Sequence, residues 1–218
     1  MQRSLVGSEM CIRDRNHMLR PFISTFTLLV LVNTFAIAQI MGKVYLDRNE
    51  NGRQDPGEKG IAGVMVQDGL NVVITPADGT FCLPGHKKVR FIALTPPDGF
   101  QASPCHYVRY EGTDKTYQLG LCRAPLPAAG AYSFIQIADT ETSLYGDWID
   151  NLKEYVKTNP TAFVIHTGDI CYEAHQEFHG KYLRSADVGV PVYYCVGNHD
   201  LREGKYGEEL WESYFGPV

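Results

Sequence analysis

The chain has 218 residues, of which 44% are hydrophobic and 21% are charged, as is usual for globular proteins. This length accommodates one or two domains with cores of normal size. The formal net charge of −5 argues against a nucleic-acid-binding protein, because such proteins are usually basic. It leaves open a small anionic substrate that is held through metal ions.

We expect the first 38 residues to lie outside the mature fold. Residues 1–17 do not have the composition of a leader and are interpreted as a sequencing artefact. From Met18 onward, one arginine, a long apolar run and a small-x-small triplet at 36–38 follow the pattern of a secretory signal peptide at 18–38. The sequence therefore predicts a secreted or periplasmic protein with no membrane span after cleavage. An uncleaved anchor is the alternative.

Residues 39–124 predict a small all-β sandwich. Short runs rich in Val, Ile, Phe and Tyr alternate there with gaps of Gly, Pro, Asn and Asp. Such alternation is typical of short strands joined by tight turns. A stretch rich in alanine and proline follows at 125–130, and its composition predicts an interdomain linker.

A polar loop follows the first predicted strand of this sandwich. Its sequence, DRNENGRQDPGE at 47–58, fits the calcium-loop pattern D-x-[DN]-x-[DN]-G-x5-E. Because strands rather than helices flank it, a bound Ca²⁺ would be structural. A polar hairpin loop rich in Asx turns is the alternative. The expected ligands are the side chains of Asp47, Asn49, Asn51, Asp55 and Glu58 and the backbone of Arg53.

From residue 131 to residue 218 the pattern alternates between strands and helices. Predicted strands are YSFIQIAD, AFVIHTGD and VPVYYCVGN, and predicted helices are TSLYGDWIDNLKEYVKTN, EAHQEFHGKYLRSA and EELWESYFG. A strand–helix–strand–helix–strand order predicts right-handed βαβ units and a largely parallel sheet. The fold class is therefore α/β, preceded by the all-β sandwich.

Polar residues follow each of the three predicted parallel strands. They are Asp139, then Gly168-Asp169, then Gly197-Asn198-His199-Asp200. In an open α/β sheet, ligands bind outside the carboxyl ends of the strands, so we expect these clusters to converge. Carboxylate and amide oxygens are ligands for hard cations. The sequence therefore predicts a metal site at this edge of the sheet.

These motifs resemble those of the calcineurin-like metallophosphoesterases, and the whole chain resembles the secreted bacterial type with an N-terminal β-sandwich domain. The resemblance implies a calcineurin-like α/β sandwich that hydrolyses phosphomono- or diesters through two divalent ions, which would be Mn, Fe, Zn or Mg. It implies a small phosphoester as the substrate. Glycan contact through the N-terminal domain is a further candidate. The implied metal ligands are Asp139, Glu141, Asp169 and Asn198.

The resemblance also implies roles for the last two residues of the third cluster. His199 would protonate the leaving alkoxide or stabilise the transition state. Asp200 would hold the His199 ring, as carboxylates behind catalytic groups do.

Two residues depart from the usual pattern of the family. Glu141 stands where the family usually has histidine. Its carboxylate would favour harder ions such as Mn²⁺ or Mg²⁺, or it would point away and leave an open position. Tyr172 stands where purple acid phosphatases have an iron-binding tyrosine, and packing at the site rim is its alternative role.

The later histidine motifs of the family do not occur before residue 218. We therefore expect residues 131–218 to be the first half of a C-terminally truncated domain, and the fragment itself to be inactive. One alternative function is a catalytically inactive, calcium-stabilised surface-binding protein. The other is an enzyme like the purple acid phosphatases.

Other cysteines and histidines are expected to have structural roles. Cys171 and Cys195 are expected to be small buried hydrophobes, and His166 to pack within its strand. His175 and His179 lie four residues apart on a predicted helix. They lack the glutamate of a zinc-protease motif, so we expect them on a solvated helix face.

Overall fold

The structure is a computed structural model that describes residues 39–124, 131–171, 173–201 and 208–217. The predicted artefact at 1–17, signal peptide at 18–38 and linker at 125–130 lie outside the described residues, as does Tyr172. From Ala36 to Val218 the chain forms one compact unit.

Within the described residues 39–124, eight strands form two four-stranded sheets. The first sheet has the order β4-β1-β8-β6, with strands β1 (Gln39–Leu46), β4 (Thr80–Pro84), β6 (Phe100–Ser103) and β8 (Thr116–Arg123). The second has the order β3-β2-β5-β7, with strands β2 (Met65–Gln67), β3 (Val72–Ile74), β5 (Phe91–Thr95) and β7 (Tyr107–Arg109). Neighbouring strands are antiparallel, except that β1 and β8 are parallel.

Alternation of side chains along the strands builds the core of this half. In β1, Ile40 and Val44 are fully buried while Met41 between them is exposed, as a strand with one buried face requires. In β8, Leu119 and Leu121 face the same core. Burying each such side chain stabilises the fold by roughly 1.5–3 kcal/mol. The predicted β-sandwich is confirmed.

The second half contains a three-stranded parallel sheet of order β11-β10-β9. Four helices accompany it in the described ranges, and none of them is long and apolar enough to cross a membrane. The strands are β9 (Ser133–Ile137), β10 (Thr161–His166) and β11 (Val192–Tyr194), and the helices are α1 (Asp147–Thr158), α2 (Glu173–Tyr182), α3 (Ser185–Val188) and α4 (Glu208–Phe215). The α/β fold class is therefore also confirmed.

Helix α1 forms because its apolar residues recur at helical spacing. Ile149, Leu152 and Val156 are buried and pack with Val164 of β10. The helix ends where Asn159 becomes extended, directly before Pro160, since a proline disfavours helical backbone in the residue before it. This packing holds β9 and β10 side by side, which positions the loops at their carboxyl ends.

The two halves are in direct contact. Arg90 of the sandwich forms ion pairs with Glu208 and Glu212 of α4, at 2.9 and 2.7 Å. Burial raises the pKa of Glu212, while Arg90 acts in the opposite direction and favours the carboxylate. The His106 ring also contacts the Tyr193 ring of β11, with centroids 5.3 Å apart.

Candidate metal centre

The loops that follow β9, β10 and β11 lie side by side at one edge of the parallel sheet. The Asp139 N–H donates a hydrogen bond to the Gly168 carbonyl at 3.1 Å, which joins the first loop to the second. The Asp169 Oδ1 accepts the His199 N–H at 3.0 Å, which joins the second to the third. The three polar clusters therefore converge, as the strand order predicts.

Two glycines allow the second and third loops to approach closely. A Cβ atom on Gly168 would lie 2.6 Å from the Gly197 nitrogen, and Gly168 also has a positive φ of 104°. A Cβ atom on Gly197 would lie 2.2 Å from Asp169 Oδ1. Any side chain at either position would push Asp169 away from the third loop, so glycine is required at both.

The Asp200 carboxylate fastens these loops together. Its Oδ2 accepts the N–H groups of Asp169 and Gly197 at 2.9 and 2.7 Å, and its Oδ1 accepts the Cys171 N–H at 2.8 Å. The Gln176 amide of α2 donates to the Asp200 carbonyl at 2.8 Å. Charge-assisted bonds of this kind are stronger than bonds between neutral groups, so Asp200 fixes the backbone of two strand ends.

This geometry corrects the role expected for Asp200. The carboxylate does not hold the His199 ring, because it points inward and is only 3% exposed, whereas the His199 side chain is 59% exposed. The ring lies instead toward Glu141, with 3.9 Å between His199 Nδ1 and Glu141 Oε1. Asp200 therefore acts on the loops and not on the imidazole.

Among the described residues, five other than glycine have backbone in the left-handed region, and four of them lie in the first two loops of this site. Their φ values are 51° at Asp139, 34° at Glu141, 56° at Asp169 and 72° at Cys171. Such conformations cost on the order of 1–3 kcal/mol each, and they cluster at functional sites where surrounding bonds enforce them. Here the Asp200 carboxylate enforces two of them.

A buried network of hydrogen-bonded side chains lies behind the first loop. Thr140 Oγ1 is 3.0 Å from His166 Nε2 and 2.8 Å from His179 Nε2. Both histidines are fully buried. Burial and the neighbouring His179 lower the pKa of His166 to about 4, and burial also lowers the pKa of His179. Both rings are therefore neutral near pH 7.

The hydrogen bonds of this side-chain network are consistent with a single arrangement of protons. His179 Nδ1 faces the His175 carbonyl at 2.8 Å and must donate to it, so Nε2 accepts the Thr140 hydroxyl proton. The Thr140 oxygen then accepts the proton of His166 Nε2. His166 Nδ1 accepts the Gly168 N–H at 3.2 Å. Thr140 thus links the loop carrying Asp139 and Glu141 to β10 and α2.

The expectation of a solvated face for His179 is wrong. Helix α2 buries Gln176, Phe178 and His179, and the histidine is accommodated because Thr140 and a backbone carbonyl pair both ring nitrogens. His166 packs within its strand as expected. Sequence alone gave no signal for the Thr140 link, since the partners are 26 and 39 residues away.

Cys171 contributes to the site in a way that the sequence did not indicate. The Cys171 thiol, the Glu141 carboxylate and the His199 ring offer three ligand atoms that lie within 4.8 Å of one another. Burial raises the pKa of the Cys171 thiol to about 12, and its hydrogen bond to Glu141 adds to the effect. Cys171 is buried as expected, whereas Cys195 is exposed, contrary to expectation.

Two family models match the chain. The model for the N-terminal part of calcineurin-like phosphoesterases matches residues 48–119, on the β-sandwich. The model for the calcineurin-like phosphoesterase domain matches residues 132–216, on the α/β half with its converging loops. The chain belongs to the calcineurin-like phosphoesterase family. No curated protein matches it.

This calcineurin-like phosphoesterase therefore carries a domain type that acts as a metal-dependent phosphoesterase. The donor set at its strand ends fits divalent ions. Asp139 and Glu141 are exposed and Asp169 is half-buried, and no lysine or arginine within the described ranges forms an ion pair with these carboxylates. Carboxylate oxygens are ligands that hard divalent ions prefer. Asn198 is exposed in the adjacent turn and adds an amide oxygen.

The predicted calcium loop of this phosphoesterase folds back on itself. Asp47 is fully buried, and its Oδ2 accepts the Gly52 N–H and the Ser103 hydroxyl, both at 2.8 Å. The amides of Asn49 and Asn51 both donate to Asp55 Oδ2 at 2.8 Å. The remaining predicted ligands lie in the same network: the Arg53 N–H donates to Asn51 Oδ1, and Glu58 accepts the N–H groups of Arg48 and Asp55. The structure thus brings all six predicted calcium residues into one loop.

Proposed function

We propose that this calcineurin-like phosphoesterase hydrolyses phosphomono- or diesters of small molecules at a dinuclear metal centre. The observation that carries the proposal is that hydrogen bonds bring together, at one edge of the sheet, the three loops that carry Asp139, Glu141, Asp169 and Asn198. Carboxylate and amide oxygens are ligands that divalent cations bind. Mn, Fe, Zn or Mg ions are the candidates.

Different residues of the chain would bind the two metal ions. Asp139 and Glu141 would hold one ion, Asn198 would hold the other, and Asp169 lies between the first and third loops, where it would bridge the two. When bound, such ions lower the pKa of a water molecule and neutralise charge on the phosphoryl group. The hydrogen bonds of Asp200 keep the second and third loops in register.

His199 is suited to act on the leaving group. Its backbone N–H is tied to Asp169 Oδ1 at 3.0 Å, while its ring is exposed to the space above the strand ends. In that position the ring would donate a proton to the leaving oxygen of the ester. The neighbouring Glu141 would orient it, since their side-chain atoms approach to 3.9 Å.

The proposal is tested with the protein expressed from its complete gene. The metal is stripped, and hydrolysis of para-nitrophenyl phosphate and of bis-para-nitrophenyl phosphate is measured as each candidate ion is added back. We expect turnover that depends on metal and that falls at least a hundredfold in Asp169→Asn. Asp98→Asn changes an exposed aspartate of the sandwich in the same way and should retain full turnover.

Two results would reject the proposal. One is a folded protein that hydrolyses neither ester with any ion, which would favour a binding protein. The other is metal-dependent turnover that survives Asp169→Asn. If neither result is found, the preferred ester shows whether the enzyme is a monoesterase or a diesterase.

We further propose that the protein is exported and that a structural Ca²⁺ binds at the 47–58 loop. The leader-like pattern at 18–38 supports export. The match of residues 47–58 to the calcium-loop pattern supports calcium. Fusing residues 18–38 to a reporter enzyme that is active only outside the cytoplasm tests export. A reporter that stays inactive contradicts it.

A further inference from the structure

We propose that Cys171 is an additional metal ligand, which binds as a thiolate together with the Glu141 carboxylate and His199 Nδ1 and shifts the site toward Zn²⁺ or Fe²⁺. His199 Nε2 then keeps the proton that the proposed function assigns to the leaving group. This inference rests on the proposed function, because the ion concerned is one of those at the strand ends. It concerns a residue that neither the motifs nor the family models assign.

The three side chains come from three different strand ends. Glu141 follows β9, Cys171 follows β10 and His199 follows β11, so the topology of the sheet brings them together. Their ligand atoms all lie within 4.8 Å of one another, and His199 Nδ1 and Glu141 Oε1 are 3.9 Å apart. Zinc bond lengths of about 2.0–2.3 Å place tetrahedral ligand atoms roughly 3.3–3.7 Å apart. These separations would therefore need to shrink by at most about 1.5 Å to complete this geometry.

The backbone directs Cys171 toward this position. Its φ of 72° is unfavourable for a residue with a side chain, and Glu141 has a similarly unfavourable φ of 34°. The strain at Cys171 is maintained from both sides, because its N–H donates to Asp200 Oδ1 and its carbonyl accepts the Gln176 amide.

The surroundings of the sulfur also differ from those of a core cysteine. The side chain is only 2% exposed, yet its thiol donates a hydrogen bond to Glu141, whose carboxylate is half exposed. The sulfur thus lies between the hydrophobic core and the edge of the sheet that carries the candidate metal ligands. When an ion binds, the thiol proton is released to water and a sulfur–metal bond replaces the S–H bond.

A thiolate changes which ion the site prefers. With Glu141 in place of the usual histidine, oxygen ligands alone favour Mg²⁺ or Mn²⁺. A thiolate favours softer ions, and zinc accepts sulfur, nitrogen and oxygen ligands. We therefore expect Cys171→Ser to weaken Zn²⁺ binding at least tenfold while leaving Mg²⁺ binding nearly unchanged.

The test uses Co²⁺ in place of the native ion, with the purified, metal-stripped protein. Visible bands of cobalt report that the ion is bound. A charge-transfer band in the near ultraviolet reports that a thiolate is bound to it. The wild type should show both, and Cys171→Ser and Cys171→Ala should keep the visible bands but lose the charge-transfer band. Cys195→Ser removes an exposed cysteine that also follows a strand of this sheet, and it should behave as the wild type.

The outcomes separate this inference from the proposed function. Visible cobalt bands without charge transfer in the wild type overturn the role of Cys171 and leave the phosphoesterase proposal intact. A charge-transfer band that persists in both folded Cys171 variants also overturns it. A folded wild type that binds no cobalt rejects the metal role of Cys171 and the dinuclear centre together. Circular dichroism of each variant confirms that it is folded.

Discussion

Asp200 Oδ2 accepts the backbone N–H of Asp169 at 2.9 Å, across 31 residues of sequence. This bond joins the end of β10 to the turn after β11. It fixes the backbone position of Asp169, the candidate bridging ligand, relative to the sheet. The same carboxylate accepts two further N–H groups. The buried Asp200 side chain therefore fixes the backbone of the second and third loops, which carry the candidate ligands Asp169 and Asn198.

Replacing Asp200 should destabilise the fold as well as the site. Asp200→Asn substitutes an N–H₂ group for one acceptor oxygen, so at least one buried N–H loses its partner. We expect the free energy of unfolding to fall by about 2 kcal/mol, because an unpaired buried donor costs about 1–3 kcal/mol. Urea denaturation measures this. The exposed Asp98→Asn should change it by less than about 0.5 kcal/mol, and equal losses in both variants would contradict the assignment.

Gly197→Ala should separate the second and third loops. The new Cβ atom would overlap Asp169 Oδ1, at 2.2 Å, and overpacking of this kind costs about 1–3 kcal/mol. We expect both a lower melting temperature and weaker metal binding, measured by calorimetry. Gly146→Ala is a matched control, since its Cβ would have only an ordinary contact at 3.4 Å. Normal metal affinity in Gly197→Ala would argue against the close approach of the loops.

The predicted structural calcium gives a third expectation. Adding Ca²⁺ to protein treated with a chelator should raise the melting temperature, because an ion that binds only the folded state stabilises it. Glu58→Gln should remove most of this increase. Mg²⁺ is the control, since a loop of this length with many oxygen ligands suits the larger ion. If Ca²⁺ and Mg²⁺ have the same small effect, the loop is a hydrogen-bonded hairpin.

The sequence predicts the fold and the place of the site because local patterns determine both. Alternation of strands and helices implies a parallel sheet, and polar residues such as Asp139 and Asp169 directly after strands imply a site at their carboxyl ends. These inferences need no knowledge of long-range contacts.

Other features of the site depend on tertiary structure and could not be predicted in this way. The direction of the Cys171 side chain follows from a positive φ that Asp200 enforces. The burial of His179 in a largely polar helix follows from a partner 39 residues away. The inward direction of Asp200, next to the outward His199, follows from three N–H groups on two loops.

Thr140 should be important although it does not contact a ligand position directly. Thr140→Val keeps the shape of the side chain but leaves buried nitrogens of His166 and His179 without a partner. We expect a loss of about 2 kcal/mol in unfolding free energy, measured by urea denaturation. Thr140→Ser restores the hydroxyl and should recover most of this loss. If Val and Ser variants are equally stable, the hydroxyl does not link the two rings.

The buried histidines also predict a dependence of stability on pH. Burial and His179 lower the pKa of His166 from 6.5 to about 4, and the charge of Asp169 opposes this shift. Between about pH 4 and pH 6.5 the unfolded chain binds more protons than the folded one. The free energy of unfolding must therefore fall as the pH falls. One such group accounts for up to about 3 kcal/mol between pH 6.5 and pH 4.

His166→Gln tests this pH dependence because glutamine cannot take up a proton in that range. Chemical denaturation at a series of pH values should give a shallower loss of stability below pH 6.5 in this variant than in the wild type. Identical slopes in the wild type and in His166→Gln would show that His166 titrates as it does in the unfolded chain, and that its ring is not held neutral by the fold.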